Sequence, residues 1–410
     1  MVSQTGNRRL MRELNSKLIL RTVRDYAPIS QAEIAKKTHL SGGTVTSIIR
    51  GLNSQGFIED VGFGKSFVGR RPTLLRLNNQ ARFVIAFELM ADRTMAAILD
   101  LSGTVVSRRV VRIASGMDAE AVLAKCCSTA KALLKKARVP RKKVQGVGVA
   151  VEGAVDVKEG RLILSVNIGW RDVAIREIVQ RKLKQPCVVE GTAASMAVGE
   201  YLYGAGRNHK SVVLLDIESG IGAVAIVEGK LLRGANSLIG EIGHNLAVPN
   251  GDFCKCGKRG CLETVAAGPA LVAKAQAAVS SGRKSTIDAS VLSCKDSQAV
   301  RMISEAATIG DSVAKKILRG AARYIGIEAA RMINFLDPEA LILTGYVSHA
   351  GGQIFIEMIR KTTIAHMLRE PQRTMEIKPG TVGRDAAMLG VSAIMCEDLF
   401  GLALGNSSIA

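Results

Sequence analysis

His244, Cys254, Cys256 and Cys261 follow one another as H-x9-C-x-C-x4-C. One imidazole and three thiolates complete a tetrahedral zinc shell, and Gly257 and Gly260 allow the loop between them to fold tightly around an ion. With no coordination position left open, the expected zinc is structural, one per chain. A redox pair, or buried cysteines with no shared role, is the alternative for three crowded thiols. The eight cysteines occur in a chain that opens MVSQTGNRRL, with no apolar signal-peptide stretch, so reduced thiols and a cytoplasmic setting are expected rather than a disulfide framework.

A second group of residues suits nucleic acid. The 410 residues carry a net charge of +20, which points to an anionic partner, and residues 1–80 hold 13 Lys and Arg against 5 Asp and Glu. Within that stretch Thr44, Ser47 and Arg50 share one face of a predicted helix, opposite Val45, Ile48, Ile49 and Leu52. Such side chains read base edges in a major groove. Lys65, Arg70 and Arg71, in and just after the glycine-rich stretch 62–69, are placed to contact DNA backbone or minor groove. A three-helix bundle with an inert hairpin is the reading without DNA.

The elements that must position these groups are legible in outline. Leu14, Leu18, Ile19 and Val23 have helical spacing, so a first helix is expected from Glu13 to about Arg24. Ser30 and Glu33 form an S-x-x-E capping box that starts a helix over Gln31–Thr38, and Ser41 caps a third over Gly42–Asn53. The tight Thr38–Leu40 connection makes a helix-turn-helix, and strand-like Phe57–Val61 and Leu74–Leu77 make its wing. This gives a DNA-binding domain over residues 1–80.

Beyond residue 80, Phe83–Phe87 and Ala96–Leu99 read as a β-hairpin. Apolar runs at 144–151, 187–189, 212–217, 223–227 and 341–343 alternate with helical patterns at 119–137, 173–184 and 314–336, which is the mark of an α/β fold. The basic clump around Pro140 reads as a solvated helix end. Hydrophobic residues at 47% exclude general disorder, and no apolar run reaches the ~18 residues of a membrane span, so no membrane partner is expected.

The segment Gly240-Glu241-Ile242-Gly243-His244, with Cys254-Lys255-Cys256-Gly257-Lys258-Arg259-Gly260-Cys261-Leu262-Glu263, resembles the signature of the ROK family of repressors and sugar kinases. With the winged helix ahead of it, the chain is similar to the family's transcriptional regulators. The resemblance implies an actin-like (ribonuclease H-like) domain over 81–410, with a small lobe of about 81–200 plus a C-terminal helix and a large lobe of about 201–380 that carries the zinc. It also implies a sugar or sugar-phosphate effector in the cleft between lobes, and a homodimer or homotetramer. Glu241, His244 and Glu263 then stand where the family contacts sugar hydroxyls, and Asn167 stands shortly before a Gly169-Trp170 pair near the cleft. Carboxylates accept paired hydrogen bonds from vicinal hydroxyls, and a histidine held by zinc has a fixed orientation.

The family's kinase apparatus is altered at four places. Where E-N-D-A-N supplies the general base, the chain reads Glu190-Gly191-Thr192-Ala193-Ala194, and threonine cannot accept a proton near neutral pH. The phosphate loop D-x-G-G-T becomes Glu88-Leu89-Met90-Ala91-Asp92, and G-T-G-x-G-G-G becomes Glu218-Ser219-Gly220-Ile221-Gly222-Ala223-Val224. The adenosine-side G-G becomes Gly345-Tyr346. The expectation is therefore not an enzyme but a regulator, a repressor bound to operator DNA, in which effector-driven lobe closure alters the spacing of two recognition helices roughly 34 Å apart. Gly191 and Thr192 also remove two family sugar contacts, so a constitutive DNA-binding protein with a vestigial sugar fold is a second reading. A sugar kinase with an added DNA-binding domain is the third.

Overall fold

The computed structural model describes residues 8–64, 71–91, 94–113, 117–235, 238–368, 370 and 375–401. Its N-terminal part runs α1 (Arg8–Tyr26), β1 (Ile29–Ser30), α2 (Gln31–Thr38), α3 (Gly42–Ser54), β2 (Ile58–Phe63) and β3 (Thr73–Leu77). The capping box forms as the sequence predicts: the Ser30 N–H donates to Glu33 Oε2 at 2.9 Å and the Glu33 N–H donates to Ser30 Oγ at 3.3 Å. Ile34, Val45, Ile48, Ile49 and Leu52 are buried under α1, and β2 and β3 pair antiparallel as the wing. Among the described residues the first helix covers Arg8–Tyr26, longer than the expected Glu13–Arg24; Leu10, Met11 and Leu14 are exposed, so its early turns carry no inward apolar stripe that would mark them in the sequence.

The chain divides into two compact units, Met1–Thr192 with Val391–Ala410, and Ala193–Gly390. The first contains β4 (Phe83–Leu89), β5 (Thr94–Asp100), β6 (Val105–Val110), α4 (Ala119–Lys136), β7 (Val144–Val151), the small sheet β8 (Ala154–Asp156), β9 (Arg161–Ser165) and β10 (Trp170–Val173), then α5 (Ile175–Leu183) and β11 (Cys187–Gly191). Helix α6 (Thr192–Tyr203) leads into the second unit, which holds β12 (Val212–Ile217), β13 (Ile221–Val227), β14 (Lys230–Leu231), α7 (Glu263–Ala266), α8 (Gly268–Ser280), α9 (Asp296–Thr308), α10 (Ser312–Leu336), β15 (Ala340–Thr344), α11 (Gly345–His366) and β16 (Glu376–Pro379). Helices α12 (Ala386–Met395) and α13 (Glu397–Phe400) follow.

The two five-stranded sheets have the same plan. Their orders are β6-β5-β4-β7-β11 and β14-β13-β12-β15-β16. In each, the first three strands in sequence meander antiparallel and the last two add parallel beside the first. Every residue of β4, β5 and β15 is buried, which is why these strands read as continuous apolar runs rather than as alternation. The first core gathers Phe87, Ile98, Leu123, Val149 and Val189. The second gathers Leu318, Ile325, Leu341, Leu343, Phe355 and Ile359. Each such fully buried side chain contributes about 1.5–3 kcal/mol of transfer free energy.

The unit boundary falls inside α12, between Gly390 and Val391. Glycines let its first half lie close to α6: a methyl group on Gly390 would overlap the Ser195 carbonyl, and one on Gly199 would overlap the Ala386 carbonyl. Its second half lies on β7, where Val391 and Met395 take the space a side chain at Gly148 or Gly146 would need. Among the described residues no helix is long and apolar enough to cross a membrane.

Candidate metal centre, effector site and DNA interface

Between β14 and α7 the chain winds through a short 3-10 turn, Ile242–His244, and then a loop pinned by isolated bridges between Leu246 and Cys261 and between Phe253 and Arg259. Gly257 (φ +90°) and Gly260 (φ +72°) take left-handed backbone there, and a side chain at Gly260 would overlap the Val248 carbonyl. The turn brings His244, Cys254, Cys256 and Cys261 together, with ligand atoms all within 4.8 Å of one another. His244 Nδ1 lies 3.6 Å from Cys254 Sγ, and Cys256 Sγ lies 3.6 Å from Cys261 Sγ. This group is able to hold a metal ion. Burial and the neighbouring thiols push the Cys261 thiol up to about 12, so a cation entering the group must displace its proton. Asn245 anchors the loop to α10 by donating to Glu328 Oε1 at 2.6 Å.

The same turn sets the expected sugar-contacting residues side by side. Glu241 Oε2 lies 3.9 Å from His244 Nε2, and Glu263 Oε2 lies 3.9 Å from His244 Nδ1. Glu263 is further held by the Ile221 N–H, which donates to its Oε1 at 2.9 Å. Burial pushes the Glu241 carboxyl above the usual range, with Glu263 adding to the effect and His244 opposing it. Asn167 belongs to the other unit, in the turn between β9 and β10, where its Nδ2 donates to Glu152 Oε1 at 2.5 Å. The Ala91 N–H donates to the other oxygen of Glu152 at 3.1 Å. No local sequence signal marks Glu152: the pairing depends on how the β8–β10 sheet folds back.

Both segments compared with phosphate loops include the turn between the first and second strand of a five-stranded sheet together with residues of a flanking strand. Glu88 and Leu89 are buried in β4 itself, while Asp92 lies outside the described residues. Glu88 stands opposite Ala150, and Glu190 of β11 stands opposite the same residue from the other side. Thr192, at the start of α6, is buried. In the second unit the Gly268 N–H donates to the Glu218 carbonyl at 2.8 Å, and the Tyr346 hydroxyl occupies the space a side chain at Gly268 would need. Glu200 is fully buried and accepts N–H bonds from Ala205 (2.9 Å), Thr381 (3.0 Å) and Val382 (2.8 Å). It ties α6 to the loop after β16, and it too has no local sequence signal.

In the winged helix, Ser41 caps α3: the Thr44 N–H donates to Ser41 Oγ at 3.2 Å, and the two hydroxyls are 2.8 Å apart. Thr44 is half-buried, whereas Ser47 and Arg50 are exposed. Thr46 is exposed beside them and donates its hydroxyl to Gln31 Oε1 at 2.8 Å, which ties α3 to the start of α2. Arg71 is exposed; Lys65 and Arg70 lie outside the described residues.

Comparison with known proteins agrees with both parts of the chain. Residues 84–398 match the profile described as the ROK family, and residues 12–59 match a winged helix-turn-helix DNA-binding profile. The chain is 28% identical over 396 residues to the xylose repressor of Caldicellulosiruptor bescii, covering 96% of this chain and 98% of that protein. It is 28% identical over 348 residues to the DNA-binding transcriptional dual regulator NagC of Escherichia coli K12, covering 85% and 84% respectively. A crystal structure of a ROK family transcriptional regulator, described as a homologue of the E. coli MLC protein, superposes with a TM-score of 0.83 at 24% identity over 96% of this chain and 98% of that one. A ROK family glucokinase from Streptomyces griseus, in complex with glucose and AMPPNP, superposes with a TM-score of 0.66 at 29% identity over 76% and 98%. The fold is thus an N-terminal winged helix followed by an actin-like, sugar-kinase-type domain.

Proposed function

The chain belongs to the ROK family, and from that membership together with its winged helix we propose that it is a sugar-responsive, DNA-binding transcriptional repressor. The observation that carries the reading is likeness along nearly the whole chain to a xylose repressor, at both its DNA-binding and effector parts. We assign the operator contacts to Thr44, Ser47 and Arg50 for base edges, and to Lys65, Arg70 and Arg71 for backbone or minor groove. The protein acts in the cytoplasm as a homodimer or homotetramer, so that two recognition helices engage two half-sites.

The metal we assign to the His244, Cys254, Cys256 and Cys261 group is one structural zinc. Tetrahedral zinc, with Zn–S of about 2.3 Å and Zn–N of about 2.0–2.1 Å, sets S···N at about 3.6 Å and S···S at about 3.8 Å. The distances of 3.6 Å for both pairs fit that shell. An ion held there would give the loop a rigid hub, and His244, ligating through Nδ1, would keep its Nε2 facing Glu241 as a fixed donor.

Glu241, His244 and Glu263 are the residues we assign to a carbohydrate effector, with Asn167 as a further contact when its amide leaves Glu152. Phosphotransfer is not part of the function. Thr192 replaces the base, and the Glu218 turn and Tyr346 pack against Gly268, which supports a closed phosphate side.

The test is a titration of neutral sugars, amino sugars and sugar phosphates that follows Trp170 emission and affinity for a selected DNA duplex together. A ligand that changes both, with the response abolished in Glu241→Ala at unchanged zinc content, is the expected result. A broad panel that leaves DNA affinity untouched overturns effector control and leaves a constitutive DNA-binding protein, a reading favoured by the engagement of Asn167 with Glu152.

A further inference from the structure

Strands β4, β7 and β11 run parallel, so their C-terminal ends lie side by side at one edge of the first sheet. That edge of parallel strands is where open α/β sheets take their ligands. Glu152 follows directly after β7, and its N–H donates to the Leu89 carbonyl at 3.0 Å. Gly153 (φ +123°) then turns the chain beside the end of β11, where a methyl added to Gly191 would stand 3.8 Å from the Gly153 carbonyl. Glu152 is half-buried, and the groups that hold it are neutral: Oε1 accepts from the Asn167 amide and Oε2 from the Ala91 N–H. Among the described residues no Lys or Arg pairs with it. Each carboxylate oxygen keeps a second lone pair for a hydroxyl donor.

A site for a phosphate ester supplies Lys or Arg, or the open N-terminus of a helix. Helix α6 does start at this edge, at Thr192, but a carboxylate already faces that start: the Gly191 N–H donates to Glu190 Oε1 at 2.9 Å. The Thr192 hydroxyl beside it is 6% exposed and has no partner among the described residues, so one buried polar group is left for a ligand to satisfy. We infer that Glu152 sets the charge of the effector: this edge takes an uncharged carbohydrate through its hydroxyls and rejects anionic ones, phosphate esters and uronic acids alike. The inference rests on the proposed effector role and names its ligand class. A sugar hydroxyl donates a proton to Glu152, whereas a dianionic phosphate has none to offer and brings a like charge.

The test uses the full chain and Glu152→Gln, which keeps the shape of the side chain and removes its charge. Trp170, the only tryptophan, follows Asn167 by three residues, and its emission is the readout. The ligands are glucose, glucose 6-phosphate and glucuronic acid, N-acetylglucosamine and its 6-phosphate, and xylose and its 5-phosphate. The expected result is binding of a free sugar with its anionic forms at least about tenfold weaker, a gap that narrows as salt rises from about 20 to 200 mM. In Glu152→Gln the ratio of the two affinities should shrink at least about threefold. An anionic form that binds as tightly as its free sugar overturns the inference, and so does a ratio that Glu152→Gln leaves unchanged. If no sugar of either charge moves Trp170 emission or DNA affinity, the effector reading fails, and quenching of the ligand-free protein decides the charge of this edge alone. Glu152→Gln should then raise quenching of Trp170 by iodide and lower quenching by caesium, with acrylamide unchanged. Equal quenching of both proteins by both ions overturns the inference.

Discussion

The Asn167 side-chain amide donates one N–H to Glu152 over 2.5 Å, while the Ala91 N–H holds the other carboxylate oxygen. That N–H meets a sugar hydroxyl only by leaving this pair; the amide's second N–H and its carbonyl oxygen are not engaged by Glu152. Glu152→Ala removes the competitor and is expected to tighten carbohydrate binding by about 0.5–1.5 kcal/mol, a few-fold in Kd. Trp170 is a suitable reporter, because it pairs with Ser165 in the same small sheet and packs on the first core. Weaker or unchanged binding in the variant removes Asn167 from the effector contacts.

Loss of a zinc ligand should strip metal and local structure together. Cys254→Ser is expected to bring zinc well below one per chain and to lower the Tm, and a strong chelator should do the same to the unmodified protein. Native protein that is metal-free and fully stable contradicts the assignment.

Arg50 and Arg71 should fail differently. Arg50→Ala is expected to relax sequence preference at one position of each half-site, at a cost of about 1–3 kcal/mol for the preferred base. Arg71→Ala should weaken all duplexes alike and reduce the salt slope of binding by roughly one. Binding curves at several salt concentrations on matched and mismatched duplexes distinguish these outcomes, and identical behaviour of the two variants would falsify the division of roles.

Glu200→Ala leaves the buried N–H group of Ala205 and the partly buried ones of Thr381 and Val382 without their acceptor. At about 1–3 kcal/mol for each unmet group, the loss should be several kcal/mol, visible as a fall in the denaturant midpoint. Ser30→Ala, which breaks only the capping box, should cost about 1 kcal/mol.

Phosphotransfer should be undetectable on any common hexose, and Thr192→Asp should not introduce it. A restored carboxylate has no cradled γ-phosphate to work with while Tyr346 packs on Gly268. Turnover by the unmodified chain in a coupled ATP-consumption assay would refute the reading of both phosphate turns.

Where local chemistry sets the structure, the sequence could be read closely. The capping box placed α2 over Gln31–Thr38 to the residue, β7 and β12 kept their apolar bounds, and the spacing of His244 and the three cysteines announced their meeting. Small residues hid other elements. Helix α8 carries alanine at five of its thirteen positions, on both faces, so its inward stripe hardly contrasts with its outer face, and α11 is interrupted at Gly352. Glu152 and Glu200 are illegible for a different reason: apart from the nearby Ala205 N–H, their partners are backbone groups or side chains brought close only by the tertiary fold.

The order in which the chain is made gives the split first unit a further meaning. Its sheet and winged helix are synthesised first, yet the α12 half that covers Gly146 and Gly148, and the Phe400 that meets α1, emerge only after all of Ala193–Gly390. Domains fold as they leave the ribosome, N-terminal first. A chain broken off within the effector part therefore presents a winged helix whose first helix is uncovered and whose sheet lacks its last covering helix. Such a fragment lacks contacts that the complete chain makes and is expected to be cleaved faster by proteases than the full-length protein.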